Sequence, residues 1–408
     1  MTRNSFREQA NVIPVNEPLI ARNALKYVRD CLESGWISSA GSYIARFEDE
    51  HAQYLGVEHA VTTTSGTTAL HLALAAAGIG AGDEVIVPDL TMIAVPYAVL
   101  YTGAKPVLVD VDRVLFNMEP ERVAVFLKKR CRYETKKKDL INKATGGRVR
   151  AILPVHLYGH PCPMDDLMRL AREYGLLVIE DAAEAHGALF FPGGEPKRAV
   201  KAGAIGDIGC FSFYGNKIVT TGEGGMVVTN DARIAEKARR LKDLAHDPKK
   251  RFLHTELAFN YRMTNVQAAI GLAQLEEIDR YLAIKRKMAE RYQKGLGRVE
   301  GLTLPKEMPW ATNVYWMYAV VVEDEFGLSR DGLMTALRES GVDTRSFFIP
   351  VHEQPVFAGD ASLKASDFPV STELSRKGFY LPSGLALTGA QIARVCRTVK
   401  AVRPKPAA

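Results

Sequence analysis

Nowhere does this sequence hold the eighteen or so consecutive apolar residues that would cross a bilayer as a helix, so no membrane insertion is expected. Its first residues, Met1–Asn11, are polar and carry no apolar run, which predicts no secretory signal. Cysteine is sparse. The five (Cys31, Cys131, Cys162, Cys210 and Cys396) are scattered and form no C-x-x-C pair. That excludes a zinc ribbon and a thiol-redox motif, and it fits a reducing, cytoplasmic location. There is no G-x-x-x-x-G-K-[ST], which excludes an NTPase P-loop, and no Rossmann glycine fingerprint follows the first strand. Internal repeats and low-complexity tracts are also missing. The net charge of +6 is concentrated: between Phe126 and Arg150 there are ten Lys or Arg against Glu134 and Asp139. The remainder of the chain is close to neutral, so no nucleic-acid partner is expected.

What the sequence does have is core. At 408 residues, 47% apolar and 25% charged, it supports two to three domains. From His59 short apolar runs alternate with helical stretches. Strand signals fall at Ala60–Thr62, Glu84–Val87, Pro106–Asp110, Ala151–Val155, Leu176–Glu180, Gly209–Tyr214 and Gly225–Thr229. Helical character falls at Thr67–Ala77, Ile93–Tyr101 and Met164–Tyr174. Strands that are apolar throughout indicate a parallel sheet covered on both faces. Residues 12–250 are therefore expected to form one large α/β domain, with a basic excursion at about 126–150. Residues 251–408 are expected to hold a long helix from Thr264 to Gln293, with Thr264 as its N-cap, and a smaller α+β domain. That domain is expected to contain a strand at Tyr315–Val322 and helices at Asp331–Ser340 and Thr388–Val402.

Open α/β sheets bind ligands at the C-terminal ends of their strands. Three features sit there. Thr64-Ser65-Gly66-Thr67-Thr68 joins a strand to a helix start, where glycine admits an anion and the helix N-terminus favours negative charge. The same residues also fit a plain Ser/Thr N-cap with a turn glycine. Asp181 follows a buried run and could hold a protonated pyridine nitrogen, or could be a helix N-cap. Lys217 lies between the aromatic run Phe211-Ser212-Phe213-Tyr214 and the Gly-rich Thr220–Gly225. Burial there would make its amine a nucleophile towards an aldehyde, whereas most lysines simply face solvent. Phosphate loop, ring-nitrogen acid and lysine are together the three anchors that pyridoxal 5′-phosphate requires.

At this point TSGTTALHLAL, VIEDAAEAHG, FSFYGNKIVTTGEGGMVVTND and FNYRMTNVQAAIGLAQLE resemble the sugar aminotransferases of the DegT/DnrJ/EryC1/StrS family. The resemblance runs from about Val15 to the C-terminal helix. GWISSAGSYIARFE, PVHLYGHPCPMD, TRSFFIPVHEQP and LPSGLAL look most like the members that aminate C4 of GDP-4-keto-6-deoxymannose. The resemblance implies a fold type I pyridoxal-phosphate enzyme, aspartate aminotransferase-like, working as a homodimer with shared active sites. It implies L-glutamate as amino donor and a nucleotide-linked keto sugar as acceptor. On this chain, Lys217 would be joined to the cofactor's aldehyde and Asp181 would meet the ring nitrogen. Gly66, Thr67 and Ser212 would hold the phosphate, joined by Asn260 from the opposite subunit. Glu184 would lie near the cofactor's 3′-oxygen, where many relatives have Gln. Met92 stands where the family usually places an aromatic ring, and a thioether can still contact a ring.

Relatives with His in place of the lysine dehydrate their sugar instead, so Lys217 favours transamination over a dehydratase or a non-catalytic regulator. The basic segment resembles an insertion in relatives that aminate UDP-linked sugars, which leaves UDP- and dTDP-linked acceptors as the alternative. It could steer an anionic substrate or be a solvated excursion turning at Gly146-Gly147. His352, Arg262 and His186 are candidate substrate contacts; for Arg262 a structural ion pair is the alternative. His352 in HEQP does not make an H-E-x-x-H zinc site. His156 could face the pocket or pack on the sheet. Trp310, Tyr315, Trp316 and Tyr318 are expected in a core strand.

Overall fold

The computed structural model describes residues 12–136, 139–250, 252–360 and 363–404. Met1–Asn11, Lys137, Lys138 and Arg251, on which parts of the reading above fall, lie outside the described residues.

Nine strands form the main sheet: β1 (His59–Thr63), β2 (Asp83–Pro88), β3 (Lys105–Val109), β4 (Cys131–Glu134), β5 (Asp139–Asn142), β6 (Arg148–Ile152), β7 (Leu177–Asp181), β8 (Ile208–Ser212) and β9 (Gly225–Thr229). Their spatial order is β1-β9-β8-β7-β6-β2-β3, with β4 and β5 added beside β6. The chain from β8 through β7, β6 and β2 to β3 is parallel, and its inner strands are buried on both faces, as their unbroken apolar runs require. The expected parallel sheet is corrected at one edge: β9 runs antiparallel to both β1 and β8. The reason is the link between β8 and β9, twelve residues with no helix, which returns the chain alongside itself rather than crossing over a face.

Among the described residues, the α-helices of this half are α1 (Ala24–Ser34), α2 (Ser42–Leu55), α3 (Gly66–Ala76), α4 (Ala94–Tyr101), α5 (Pro120–Arg130), α6 (Met164–Tyr174) and α7 (Ala232–Lys242). The helix expected over Thr264–Gln293 is two helices, α8 (Asn265–Leu275) and α9 (Ile278–Leu296). Thr264 caps α8 through a capping box with Gln267, as its sequence signals. The break follows from opposite attachments. Glu276 accepts hydrogen bonds from Asn23 Nδ2 (2.7 Å) and Tyr27 Oη (2.6 Å), pulling the end of α8 onto α1, while α9 runs on to the second core.

That second core is built by α9, α10 (Arg330–Glu339) and α11 (Gly389–Val402) against a sheet whose longest strand is Tyr318–Val322. Ile13, near the start of the described chain, is buried in it and pairs with Val342, so residues 13–15 lie with the C-terminal unit. The basic segment is an ordered addition rather than a solvated excursion. Cys131 and Leu140 are buried in the core with Val149, Asn142 donates to Glu84 (2.8 Å), and the chain turns at Gly146 with φ 73°. Its cations Lys128, Lys129, Arg130 and Arg132 remain exposed. Because β5 pairs with the first residues of β6, the addition sits at the opposite end of that strand from Val155, about 20 Å away at the usual rise per residue. The site described next lies at the Val155 end.

Candidate active site

A cavity of about 350 Å³ opens at the C-terminal ends of β1, β2, β7 and β8. Gly66 and Thr67 form its floor at the first turn of α3. Ser65 caps this helix by accepting from Thr68 N–H at 3.1 Å and donates its own N–H to Thr68 Oγ1 at 2.9 Å. The helix itself offers no partner to the N–H groups of Gly66 and Thr67, which are among the donors every helix start leaves over. Gly66 is there because nothing larger fits: a Cβ would stand 2.6 Å from Ser212 Cβ. The result is a cradle of amides and hydroxyls at a positive helix end, suited to a phosphate. Gly66→Val is expected to weaken cofactor affinity at least about fivefold, since overpacking of this kind costs about 1–3 kcal/mol; equilibrium dialysis of the loaded protein checks it.

Asp181 ends β7 and is 6% exposed. Among the described residues its carboxylate receives one hydrogen bond, from Ala183 N–H to Oδ1 at 2.9 Å. Burial pushes this carboxyl above its ordinary range, opposed by that N–H and by the positive charge of Lys217. A buried carboxylate with one oxygen unmet by protein is a site for a cation. Beside Asp181, the fully buried Glu180 is by contrast satisfied. It accepts from the N–H groups of Gly203, Ile205 and Gly206 at 2.9, 2.7 and 2.6 Å, and from His156 Nε2 at 2.8 Å. His156 Nδ1 accepts from Cys162 N–H (2.9 Å), which assigns its ring proton to Nε2. His156 therefore anchors the strand end and does not line the cavity.

Lys217 is on the loop between β8 and β9, its side chain 10% exposed. Its Nζ lies 3.5 Å from Glu184 Oε1 and 3.8 Å from the centroid of the Trp316 ring. Glu184 Oε2 accepts from Tyr158 N–H at 2.8 Å, and burial raises its carboxyl against the pull of Lys217. Met92, after β2, is 48% exposed and stands on the rim. Phe348, Tyr380 and Trp316 close the wall from the C-terminal half.

A family profile described as the DegT/DnrJ/EryC1/StrS aminotransferase family matches residues 18–400. The chain belongs to that family. It is similar to a GDP-perosamine synthase of Caulobacter vibrioides, 42% identical over 94% of this chain and 96% of that protein. A GDP-perosamine synthase of Vibrio cholerae is 41% identical over 95% and 98%. Among solved structures, an aminotransferase from Psychrobacter cryohalolentis superposes with a TM-score of 0.83 at 31% identity, covering 95% of this chain and 98% of that one. The chain is an aminotransferase of the sugar-modifying kind, and its cofactor is pyridoxal phosphate. The residues present fit that group: the α3 cradle suits its phosphate, the unmet oxygen of Asp181 suits its ring nitrogen, and Lys217 lines the same cavity.

Of the residues singled out from sequence, this cavity brings together Gly66, Thr67, Met92, Asp181, Glu184, Ser212 and Lys217. Four others lie elsewhere. His352 is turned away, its Nδ1 2.7 Å from Asp89 Oδ2 and its backbone N–H 2.9 Å from Asp89 Oδ1. Burial alone would lower this ring's pKa, and the Asp89 carboxylate overrides it and raises it. His186 is buried on the far face of β8 against Phe211 and Phe213 (5.2 and 5.7 Å between ring centres), and burial drives its ring towards neutrality. Arg262 makes the ion pair its alternative reading allowed, 2.9 Å from Asp243, and donates to Asn260 Oδ1 at 3.0 Å. Asn260 itself is exposed, outside this chain's own cavity.

Trp316 was the residue hidden from sequence. It was expected inside a strand, but pairing begins only at Tyr318, and Tyr315 turns the chain with φ 49° so that the indole reaches Lys217. A Trp directly after a residue in a strained conformation leaves no periodicity to find.

Proposed function

We propose that this enzyme transfers the amino group of L-glutamate to the C4 ketone of a nucleotide-linked 4-keto-6-deoxyhexose, GDP-4-keto-6-deoxymannose, giving GDP-perosamine for a surface polysaccharide. The single observation that carries the choice of sugar is the likeness, over nearly the whole chain, to two proteins named GDP-perosamine synthase. It is supported by the position of the basic addition, at the end of β6 away from the cavity, which removes that segment as a reason to prefer another nucleotide.

Bound pyridoxal phosphate supplies an aldehyde that takes up an amino group and a ring that stores the electron pair of a broken C–H bond. The chain supplies the rest. Lys217 Nζ would be the base that moves the proton between the donor's α-carbon and the cofactor. Asp181 keeps the ring nitrogen protonated and so keeps the ring electron-poor. Glu184 and the Trp316 ring hold the lysine's charge between these duties. Gly66, Thr67 and Ser212 fix the phosphate, and Phe348 and Tyr380 exclude water. Donor and acceptor use the same cavity in turn, so double-displacement kinetics are expected.

We place the site in a homodimer with shared active sites, supported by the large apolar side chains of Trp36, Ile37 and Leu257, which are 58%, 51% and 90% exposed. The reading also puts the enzyme in the cytoplasm. In support, all five cysteines are buried and free, and no helix among the described residues is long and apolar enough to cross a membrane.

The test is a half-reaction by absorbance. Glutamate is expected to bleach the long-wavelength band of the cofactor-loaded protein, and GDP-4-keto-6-deoxymannose to restore it. Bleaching without recovery, followed by recovery with a UDP- or dTDP-linked keto sugar, overturns the GDP assignment. No bleaching by glutamate overturns the donor.

A further inference from the structure

Trp316 touches Lys217 in two different ways. Its ring face lies under Nζ at 3.8 Å, and its Nε1–H donates to the carbonyl of Asn216 at 2.9 Å, the residue directly before the lysine. The same carbonyl also accepts from Asn16 Nδ2 at 3.0 Å. The backbone that carries Lys217 and the end of its side chain are thus both referred to one indole. The nearest carboxylate, Glu184, is 3.5 Å from Nζ, at the limit of a hydrogen bond, so the ring is a principal contact of the amine.

The indole is itself held from behind. Lys285, on α9, is 2% exposed and has no carboxylate beside it among the described residues. Its Nζ donates to the carbonyl of Trp316 at 2.8 Å and to the carbonyl of Ser383. Burying an amine with only carbonyl partners is costly, and burial lowers this one to about 7. Such a group fixes what it touches. It ties the turn at Trp316 to the segment after Leu381, and the Tyr158 ring, 14° from coplanar, stacks on the indole at 6.4 Å between centres.

We infer that Trp316 is a positioning residue for the reactive lysine, and that Lys285 is the buried amine that sets Trp316. The ring gives the freed ammonium a resting place that a proton-accepting group would not give: it attracts the cation without taking its proton. The Nε1–H fixes the backbone from which Nζ swings. This rests on the reading of Lys217 as the amine that binds the cofactor and moves the proton.

The test starts with cofactor-free protein. Pyridoxal phosphate is added, the lysine bond is fixed at timed intervals with borohydride, and modified Lys217 is counted by mass spectrometry. Trp316→Leu is expected to slow this capture about tenfold. Trp316→Phe, which keeps a ring face and loses the N–H, is expected to slow it about threefold. In the loaded enzyme, α-deuterated glutamate is expected to show a larger isotope effect in the Leu variant with KM for glutamate unchanged, because proton transfer by a loosened lysine becomes limiting. Lys285→Met substitutes no residue that lines the cavity, removes both carbonyl bonds, and is expected to fall between the two on both measures. Wild-type capture and isotope effect in a folded Trp316→Leu protein overturn the inference. If that variant does not fold, wild-type values in both Trp316→Phe and Lys285→Met overturn it. Capture needs no sugar, so failure to aminate GDP-4-keto-6-deoxymannose counts against the sugar assignment alone, whereas cofactor found on a residue other than Lys217 overturns both readings.

Discussion

Lys217→Ala is expected to abolish the long-wavelength cofactor band and to lower glutamate-dependent amination by at least about three orders of magnitude, the upper part of what a positioned proton-transfer group contributes. On the proposed reading two functions are lost at once, because one amine would both bind the cofactor and move the proton. No other amine described in this cavity can replace it: Lys285, the buried amine on α9, is committed to two carbonyls behind Trp316. Lys217→Arg separates the two losses from a loss of charge. A guanidinium keeps a cation over the Trp316 ring and beside Glu184, yet it stays protonated at any working pH and cannot act as nucleophile or base. Arg and Ala variants are therefore expected to be equally inactive, the Arg variant with the smaller loss of thermal stability. Single-turnover absorbance with glutamate and a thermal melt of each variant check this. More than a tenth of wild-type activity in either variant would remove Lys217 from its role.

Asp181→Asn should carry the second-largest effect, a fall in turnover of about a hundredfold or more with a smaller change in KM. The amide preserves shape and the Ala183 N–H bond and removes the charge that, on the proposed reading, keeps a ring nitrogen protonated. The same substitution is expected to act oppositely on the cofactor-free protein. A carboxyl whose folded pKa is raised above its unfolded value costs stability once the pH exceeds the ordinary carboxylate range, and the cost is relieved as pH falls through the raised value. At neutral pH, cofactor-free Asp181→Asn should melt no lower than wild type, while pyridoxal phosphate stabilises it less. Melting curves with and without cofactor decide. A variant destabilised equally in both forms would mean that Asp181 is a structural cap.

The parts of this site that sequence discloses are those built by local chain. Gly66 and Thr67 sit at a strand-to-helix turn, Asp181 at the end of an apolar run, and Lys217 between an aromatic strand and a Gly-rich loop, so each carries its signal within a few residues. What sequence withholds is set at long range. Asp89 meets His352 across 263 positions, and neither residue marks the other. The break between α8 and α9 is imposed by Asn23 and Tyr27 holding Glu276, against a helical pattern that runs straight through. The reversal of β9 was legible in principle: a link of a dozen residues with no helix in it cannot easily join parallel neighbours. The ordered β4–β5 addition was masked by its own charge, because two buried residues, Cys131 and Leu140, anchor a segment that otherwise reads as solvated.

Trp316, Phe348 and Tyr380 close the cavity from the last quarter of the chain, and Val15 accepts from Ser383 N–H at 2.7 Å. During synthesis, then, Lys217 and the phosphate cradle emerge from the ribosome with their ceiling still untranslated. The nascent chain can form α3 and the strands around Asp181, but the walled chamber exists only after residue 380 has cleared the exit tunnel. A product truncated before Trp316 would therefore carry Lys217 without any of these three wall residues.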